Sequence, residues 1–345
     1  MSLTPQPLPH MSTQARRLAP PRVGFLGIGW IGSNRLKAIA QSGSVEIAAI
    51  MDCNAQAAAA AAGLVGDPPV VMSWDALLQH SLDALVIATP TALHAEQTIN
   101  ALDAGLAVLC QKPLALDAAQ TREVIAAARR ANRLLAVDMS YRYLRSVTLV
   151  KQLVDAGEIG KIFAADLTFH NAYGPDKAWY YTPALAGGGC VIDLGVHLID
   201  LALWILGCDQ VGAVSSRLFS EGRALATGEQ VLEDYASARL DLAGGTTVTL
   251  ACSWRLHAGR DAVIRATFYG TRGALEICNV AGSFYDFTAE RFTGTTRVTL
   301  DQAPDNWGGR AALAWCERLR RDANYDAAIE DAATVAQIID RIYGR

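Results

Sequence analysis

The feature that most constrains this chain is a glycine-rich turn, residues 27–32, which lies between a short apolar segment and a helical stretch. In a G-x-G-x-x-G turn the first glycine permits the bend, the second lets the backbone approach a pyrophosphate, and the third packs the helix against the strand. The N–H groups at the helix start would face the anion. The turn predicts a β-α-β unit that binds a dinucleotide through Gly27, Gly29, Trp30, Ile31 and Gly32.

An acidic residue supports this prediction. Asp52 ends the next apolar segment, twenty residues after Gly32, where a carboxylate can accept hydrogen bonds from both ribose hydroxyls of an adenosine. It would also repel a 2′-phosphate, and the following Cys53 and Asn54 offer no cation to bind one. We therefore expect NAD(H) as cofactor, with NADP(H) less favoured. A tight turn followed by a helix-capping Asp is the alternative.

From residue 22 to about 136, apolar runs alternate with Ala-rich helical stretches. Continuous apolar strands separated by helices are typical of a parallel sheet covered on both faces. The pattern predicts a doubly wound α/β domain, a Rossmann fold. Its predicted strands are 23–26, 45–51, 84–88, 107–110 and 134–137, and its predicted helices are 30–41, 55–62, 74–79, 93–104 and 117–131.

After residue 141 the pattern changes to strands that follow one another without intervening helices. This half is predicted to be α+β, with a large, mostly antiparallel open sheet. The predicted strands are 161–170, 211–218, 235–242, 246–254, 262–270 and 274–278, and the predicted helices are 146–156, 191–206, 310–321 and 327–342. The domain prediction is a flexible tail at 1–20, a dinucleotide-binding domain at 21–141 and a substrate and oligomerisation domain at 142–345.

Composition excludes several classes of function. The net charge is −4 with no basic block, which argues against nucleic-acid binding. The most apolar stretch, 191–207, contains Asp193, His197 and Asp200, which argues against a lipid-facing helix. Seven scattered cysteines without a C-x-x-C pair indicate neither a disulfide framework nor a zinc site, and fit the cytoplasm. The six histidines show no metal-ligand spacing, so we expect no metal and a small-molecule partner.

Candidate chemical groups follow two of the predicted parallel strands. Thr89, Pro90 and His94 come after strand 84–88, and Gln111 and Lys112 come after strand 107–110. Doubly wound sheets bind ligands at this carboxyl edge, so the Lys112 ammonium is expected near a nicotinamide. The structural alternatives are a strand-ending proline and a solvated surface lysine.

A second candidate group lies in the apolar helix. Asp193 and His197 are four residues apart, which on an α-helix brings them within mutual reach, and they follow three glycines at 187–189. A carboxylate could orient the imidazole, which titrates near neutrality and suits proton transfer to or from an alcohol oxygen. The alternative is a helix-dipole aspartate and a buried core histidine.

Together these motifs resemble those of the Gfo/Idh/MocA oxidoreductases, the glucose–fructose oxidoreductase and inositol dehydrogenase family. The resemblance covers nearly all of the chain after residue 21, and the order and spacing of the motifs carry it. They are the glycine turn, A-T-P-T-A-L-H at 88–94, C-Q-K-P at 110–113, Y-R-Y at 141–143, G-G-G at 187–189 and D-L-G-V-H at 193–197.

The resemblance implies roles for individual residues. The family's catalytic lysine lies in a Glu-Lys-Pro triplet and corresponds to Lys112, while Asp193 and His197 match the catalytic D-x-G-x-H. This chain has Gln111 in place of the usual Glu, which removes a negative charge beside the lysine. The family also implies a cis bond before Pro113. Arg142 is implied at the rim of the cofactor and substrate sites; an interdomain ion pair is the alternative.

We therefore predict an NAD(H)-dependent oxidoreductase that interconverts a secondary alcohol and a ketone on a sugar, cyclic polyol or sugar derivative. Trp179, Tyr180 and Tyr181 either form a pocket wall or pack beneath their loop. An apolar open sheet would favour a homodimer or homotetramer. The alternatives are an NADP-linked diol or aldehyde reductase and a non-catalytic dinucleotide-binding regulator.

The predicted site residues fall into two groups. Cofactor contacts are predicted at Gly27, Gly29, Trp30, Ile31, Gly32, Asp52, Thr89, Pro90, His94, Gln111, Lys112 and Arg142. Substrate contacts are predicted at Lys112, Arg142, Trp179, Asp193 and His197.

Overall fold

The computed structural model describes residues 19–207, 210–229 and 231–345. Most of the predicted tail and Cys208 lie outside the described residues. The strands are β1 (Arg22–Leu26), β2 (Glu46–Met51), β3 (Val70–Val71), β4 (Ala84–Ile87), β5 (Ala107–Cys110), β6 (Leu135–Val137), β7 (Ile162–Asn171), β8 (Val211–Ser220), β9 (Arg223–Ala224), β10 (Tyr235–Leu242), β11 (Thr247–Ser253), β12 (Ala262–Gly270), β13 (Gly273–Asn279), β14 (Phe287–Thr293) and β15 (Thr296–Asp301). The helices are α1 (Trp30–Ser42), α2 (Ala55–Ala62), α3 (Trp74–Leu78), α4 (Thr91–Asp103), α5 (Ala118–Ala131), α6 (Arg145–Asp155), α7 (Pro183–Ala186), α8 (Val196–Leu206), α9 (Arg310–Arg321) and α10 (Asp331–Tyr343).

The first sheet has six parallel strands in the order β3-β2-β1-β4-β5-β6, which confirms the predicted doubly wound fold. Strands β4 and β5 are buried along their whole length, because helices cover both faces. The strand order reverses between β1 and β4, and ligands bind at such a point in open α/β sheets. Strand β3 was not predicted because two valines are too short a run to show a period.

The second sheet has nine strands in the order β15-β14-β13-β12-β7-β11-β10-β8-β9. Its pairs are antiparallel except β7 with β11, so the predicted open, mostly antiparallel sheet is confirmed. The sequence did not predict β14 and β15. Strand β15 is exposed or half-buried throughout, so its residues do not show the apolar alternation that marks a half-buried strand.

The two faces of this sheet differ in chemistry. One face packs against helices α6, α8 and α10, and a cross-strand row on it is apolar: Val214, Leu240, Val248, Ala165, Phe268 and Leu275. The next row, on the open face, is polar in each of the eight strands that it crosses: Ser215, Arg239, Thr249, Asp166, Thr267, Glu276, Glu290 and Thr299. The expectation that the open face exposes mainly apolar surface is therefore wrong for this row, because each outward position carries a hydroxyl or a charge.

Two C-terminal helices tie the halves of the molecule together. Helix α9 packs against α1, and its Trp315 and Leu319 belong to the same buried cluster as Phe25. Helix α10 packs between α5, α8 and β8. The C-terminal part of the chain therefore contributes to the core of the first sheet as well as to that of the second.

One helical segment, Pro183–Leu206, is long and apolar enough to cross a membrane by length and composition. Within its most apolar window, 83% of the segment is buried inside the protein. Its Ile199, Ala202 and Ile205 have no exposed surface and lie in the core against the second sheet. The segment therefore has the burial of a core helix.

Candidate active site

The glycine-rich turn leaves room for a pyrophosphate. Gly27 has φ 91°, and a Cβ there would overlap the backbone of Ala88 on the neighbouring strand. At Gly32 a Cβ would overlap the carbonyl of Gly27, so the helix start and the turn are in close contact. Gly29 faces open space, and no side chain caps α1. The N–H groups of the first helical turn are thus left for an anion, which fits a bound dinucleotide.

Asp52 lies beside this turn at the end of β2. Its Oδ2 accepts a hydrogen bond from the Ile28 N–H at 2.6 Å, and its Oδ1 accepts one from the Asn54 N–H at 2.8 Å. Each carboxylate oxygen keeps acceptor capacity for a ribose hydroxyl. The Asn54 side chain caps α2 by accepting from the Ala57 N–H at 3.0 Å, so it does not provide a phosphate site. The local charge therefore disfavours a 2′-phosphate.

The residues after β4 support the edge of this site. Thr89 donates a hydrogen bond to Gln97 at 2.6 Å, and Pro90 lies at the start of α4. His94 is 1% exposed, and its two ring nitrogens lie 2.7 Å from the carbonyls of Thr89 and Pro113. Burial lowers the His94 pKa. The ring thus lies between the turns after β4 and β5, and in its neutral form it donates to one of the two carbonyls. The contact of His94 with the cofactor stays a prediction.

Lys112 crosses from the first sheet to the second domain. Its Nζ donates to the Asp193 Oδ1 at 2.9 Å and to the Asp193 carbonyl at 2.7 Å. The other carboxylate oxygen of Asp193 accepts from the Trp254 indole at 3.1 Å. The two charged side chains are 17% and 14% exposed, so the pair is largely shielded from water. The Lys112–Pro113 peptide bond is cis, as the resemblance implied.

The predicted contact between Asp193 and His197 is wrong. Residues Val191–Gly195 form a turn of π-helix that continues into α8, so the two residues are not one regular α-helical turn apart. A π-turn inserts an extra residue and rotates what precedes it, and such turns are frequent at functional sites. Both carboxylate oxygens of Asp193 are already bonded, to Lys112 and Trp254, and no described hydrogen bond joins them to the imidazole.

His197 lies in an aromatic environment next to this ion pair. Its ring packs edge-on against Tyr141, with centroids 4.8 Å apart, and lies 6.5 Å from Phe169. Burial lowers the pKa of His197 well below its usual value, and the positive charges of Lys112 and Arg35 lower it further. The imidazole is therefore neutral at neutral pH and available to accept a proton.

The three glycines before this helix are explained by close contacts. A Cβ at Gly188 would overlap the Tyr343 hydroxyl, and one at Gly189 would overlap the carbonyl of Glu233. The buried Glu233 carboxylate accepts from the N–H groups of Gly189 and Val191 at 2.9 to 3.1 Å and from Tyr343 at 2.8 Å. Burial raises the Glu233 pKa. Glu233 thus anchors the start of the helix that carries Asp193, a role that no local sequence signal indicated.

Two aromatic residues lie over the ion pair. Trp179 and Tyr180 are stacked, with ring centroids 3.8 Å apart, and line a small cavity with Lys112, Gly188 and Asp193. Tyr181 instead contacts Arg255, whose guanidinium lies 5.1 Å from the ring centroid. Beyond Trp254 there is a larger cavity of about 350 Å³, lined by Tyr181, Trp254, Arg255 and Asp234. Trp179 and Tyr180 are thus placed to contact a molecule bound at Lys112.

Arg142 forms ion pairs inside the second half of the chain. Its Nε and Nη2 donate to the Asp200 carboxylate at 2.9 and 2.5 Å, and its Nη1 lies 3.4 Å from Asp331. Burial alone would lower the Arg142 pKa, but the charge of Asp200 raises it overall. Two carboxylates therefore hold the guanidinium, although both belong to the same predicted domain as Arg142. The contact of Arg142 with cofactor or substrate stays a prediction.

Gln111 is buried beside Asp138. Its amide donates to the Asp138 carboxylate, which has no exposed surface and also pairs with Arg35. The sequence indicated a site role for neither Arg35 nor Asp138. Neither has a motif of its own, and they meet only because α1 and the end of β6 lie together in the fold.

Comparison with known proteins assigns this chain to a family. Residues 21–139 match the model described as oxidoreductase family, NAD-binding Rossmann fold, and residues 147–276 match the GFO/IDH/MocA C-terminal domain. The chain belongs to the Gfo/Idh/MocA family of oxidoreductases. This confirms the family, the fold and the NAD-binding domain predicted from the motifs.

Relatives of this oxidoreductase act on sugars and polyols. It is 25% identical over 340 residues to D-glucoside 3-dehydrogenase of Escherichia coli (strain K12), covering 94% of this chain and 95% of the relative. It is 27% identical over 334 residues to inositol 2-dehydrogenase of Rhizobium meliloti (strain 1021), covering 92% and 98%. The solved structure of a levoglucosan dehydrogenase with NADH and levoglucosan has TM-score 0.80 and 23% identity, covering 94% of this chain and 96% of that one.

Proposed function

We propose that this oxidoreductase interconverts a secondary alcohol and a ketone on a sugar, cyclic polyol or sugar derivative, with NAD(H) as cofactor. The observation that carries the proposal is the contact between Lys112, at the edge of the nucleotide-binding sheet, and Asp193, at the start of the core helix in the second domain. A second observation supports it: Lys112 is close enough to the buried His197 for its charge to lower the His197 pKa.

Each of these residues has a role that follows from its surroundings. In the oxidation direction, His197 accepts the hydroxyl proton, because its lowered pKa leaves it neutral. Lys112 donates a hydrogen bond to the same substrate oxygen as negative charge develops on it, and Asp193 holds the ammonium in place. The nicotinamide, when bound, accepts the hydride. Trp179 and Tyr180 supply flat apolar faces for the substrate ring.

The charge around Asp52 leads to a prediction on cofactor choice. We expect NAD⁺ to bind at least about tenfold more tightly than NADP⁺, a difference of about 1.4 kcal/mol in binding free energy. The reason is that the Asp52 carboxylate can accept hydrogen bonds from the ribose hydroxyls of NAD⁺ and would repel the 2′-phosphate of NADP⁺. Replacing Asp52 with Asn should remove most of this difference. Titrating the protein with each dinucleotide, followed by tryptophan fluorescence, measures both affinities, and the exposed Asp103→Asn variant is the control. Tighter binding of NADP⁺ by the parent protein would contradict the assignment.

We also propose that the protein is a homodimer or homotetramer in the cytoplasm, joined through the open face of the second sheet. The polar row on that face contains Arg239 together with Asp166 and Glu276, so two copies related by a two-fold axis can pair opposite charges.

The interface is tested with Thr249→Arg, in the middle of the row, which should lower the mass measured by light scattering to that of a monomer. Glu123→Arg, on the exposed side of α5, should leave it unchanged. A parent protein that is monomeric at micromolar concentration would refute this interface. Neither nucleic acid nor membrane is proposed as a partner.

The test of the catalytic proposal is a screen for NAD⁺ reduction with free sugars, glycosides, cyclic polyols and sugar acids. Turnover of at least one secondary alcohol is expected, with the product identified as the ketone. A folded protein that binds NAD⁺ yet turns over no compound would favour the regulator instead. Turnover only with NADPH and a diol or aldehyde would favour the reductase.

A further inference from the structure

We propose that Asp138 and Gln111 form a positioning pair for Lys112, in which residue 138 rather than residue 111 carries the acidic group; this rests on the function proposed above. The family usually has a carboxylate next to the catalytic lysine, and this chain has an amide there. In this chain the Gln111 amide donates to a carboxylate, Asp138, that follows a different strand.

The carboxylate of Asp138 is surrounded by donors. Arg35 Nε lies 2.5 Å from its Oδ2, and Ser140 donates to its Oδ1 at 3.1 Å. Arg35 also donates to the Ser140 hydroxyl at 2.9 Å and to the carbonyl of Gly308. Asp138 is fully buried and Arg35 is 4% exposed. A buried carboxylate is tolerated only when it is paired and hydrogen-bonded, so Arg35 and Asp138 form one neutral unit.

Gln111 completes this unit in a way that an ionised glutamate could not. Its Nε2 donates to the same Asp138 oxygen that Arg35 contacts. An amide has N–H donors, whereas an ionised carboxylate only accepts. A glutamate at position 111 would face Asp138 with a second negative charge and a single cation between them. The residue at 111 is therefore set by the residue at 138.

The pair acts where the backbone leaves the sheet towards Lys112. The Gln111 N–H donates to the Ile87 carbonyl at 2.9 Å, and the Asp138 N–H donates to the Cys110 carbonyl at 2.9 Å. The side-chain bond between 111 and 138 thus fixes the main chain immediately before Lys112, which must then reach Asp193. A displacement of about 1 Å in such a group can cost on the order of a hundredfold in rate.

Arg35 extends this link to the nucleotide-binding turn. It lies on α1, the helix whose first turn would hold the pyrophosphate, and its guanidinium also donates to the Gly308 carbonyl next to α9. One buried unit therefore joins the helix that carries the cofactor site to the strand end that carries Lys112. The mutual placement of these two elements determines how a bound nicotinamide meets the lysine.

The other titratable groups near Asp138 are neutral. Burial raises the pKa of the Cys110 thiol to about 12, with a smaller contribution from Asp138. Burial also raises the pKa of Tyr143, despite the neighbouring Arg142. The charges that face the pair are thus Arg35 from α1 and, one residue along the chain, Lys112. His197 is the other titratable group near Arg35, and burial together with Lys112 and Arg35 lowers its pKa. An added carboxylate at 111 would have no further cation to pair with among the described contacts.

The proposal is tested with Gln111→Glu, and exposed Gln41→Glu is the matched control. When protonated, the new carboxyl can donate to Asp138 as the amide does. Burial and the neighbouring carboxylate raise its pKa, so it ionises as pH rises through that value and the pair separates. Measured as kcat relative to the parent protein at each pH, activity should fall by about tenfold or more between pH 5.5 and 8.5. Gln41→Glu should give a constant ratio near one.

The decisive variant is the double substitution Gln111→Glu with Asp138→Asn. It moves the carboxylate from 138 to 111, keeps Arg35 paired and restores an amide donor opposite the acid. We expect the ratio of its kcat to that of the parent protein to be independent of pH, with the two values within about fivefold of each other. Its dissociation constant for NAD⁺ should lie within about threefold of the parent value. Asp138→Asn alone leaves Arg35 without a counter-charge, and we expect it to have a lower melting temperature than the double variant.

Three results would overturn the proposal. A constant ratio for Gln111→Glu would show that residue 111 does not face the Asp138 charge. A double variant as impaired as Gln111→Glu would show that the charge cannot be moved. A third outcome is that the double variant melts at a higher temperature than the single variants while every folded variant has the kcat of the parent protein. The pair would then stabilise the fold without positioning Lys112. Comparing the melting temperatures of the parent, single and double variants needs no substrate, so this comparison tests the pair separately from the proposed activity.

Discussion

Replacing Lys112 with Met is expected to lower kcat by about 10²- to 10⁴-fold, the usual cost of removing a group that acts on charge or protons in the transition state. The ammonium is the donor placed to contact a substrate oxygen, and it is held by both Asp193 oxygen contacts. Met keeps the length of the side chain and removes the charge. Because the glycine turn and Asp52 are untouched, the dissociation constant for NAD⁺ should stay within about threefold of the parent value. Steady-state kinetics and a dinucleotide titration measure the two quantities.

The exposed Lys161→Met variant is the control for this experiment, because it removes a lysine far from the cleft. Its kcat should equal that of the parent protein. A Lys112→Met variant that is folded and has parent-like kcat would contradict the proposed role of the lysine. Lys112→Met should also shift the pH profile, because Lys112 is one of the charges that lower the His197 pKa.

Replacing His197 with Gln is expected to lower kcat by about 10²- to 10⁴-fold, since the proton acceptor is lost. Gln keeps a polar group in the same buried space between Tyr141 and Phe169 but cannot accept a proton at neutral pH. Melting temperature and circular dichroism should show that the variant is folded. A folded His197→Gln variant with more than about a tenth of the parent kcat would require a different base.

The pH profile of the parent protein provides the independent test of His197. The imidazole must be neutral to accept a proton, and burial together with Lys112 and Arg35 lowers its pKa well below the usual value. The acidic limb of kcat/KM for oxidation should therefore lie below the ordinary histidine pKa of about 6.5. In Lys112→Met the limb should move to higher pH. A parent limb centred near or above about 6.5 would contradict the assignment of His197 as base.

The same shift has a consequence for stability. Because the folded state holds His197 neutral, the unfolded chain binds a proton more readily below its ordinary pKa. His197 therefore opposes folding increasingly as the pH falls below about 6.5 towards the lowered folded-state value. The His197→Gln variant should lose less stability than the parent protein over that interval.

Motifs alone did not indicate the partners of their side chains. Arg142 and His94 occur in motifs that pointed to ligand contacts, yet Arg142 pairs with Asp200, and the His94 ring lies between the carbonyls of Thr89 and Pro113. A motif shows where a side chain begins, but not which distant group it meets. The four-residue spacing of Asp193 and His197 was also misleading, since it assumes an α-helix and the chain forms a π-turn there.

The sequence by itself determined the features that depend on a few neighbouring residues. These are the glycine turn, the alternation of strands and helices in the first domain, and the positions of Lys112 and His197 at the ends of apolar elements. Only the tertiary structure decided which charges meet. Asp138 is 103 residues from Arg35, Lys112 is 81 residues from Asp193, and Glu233 is 44 residues from Gly189. Such pairs form because packing of two sheets and their helices brings the residues together, and no local spacing encodes that packing.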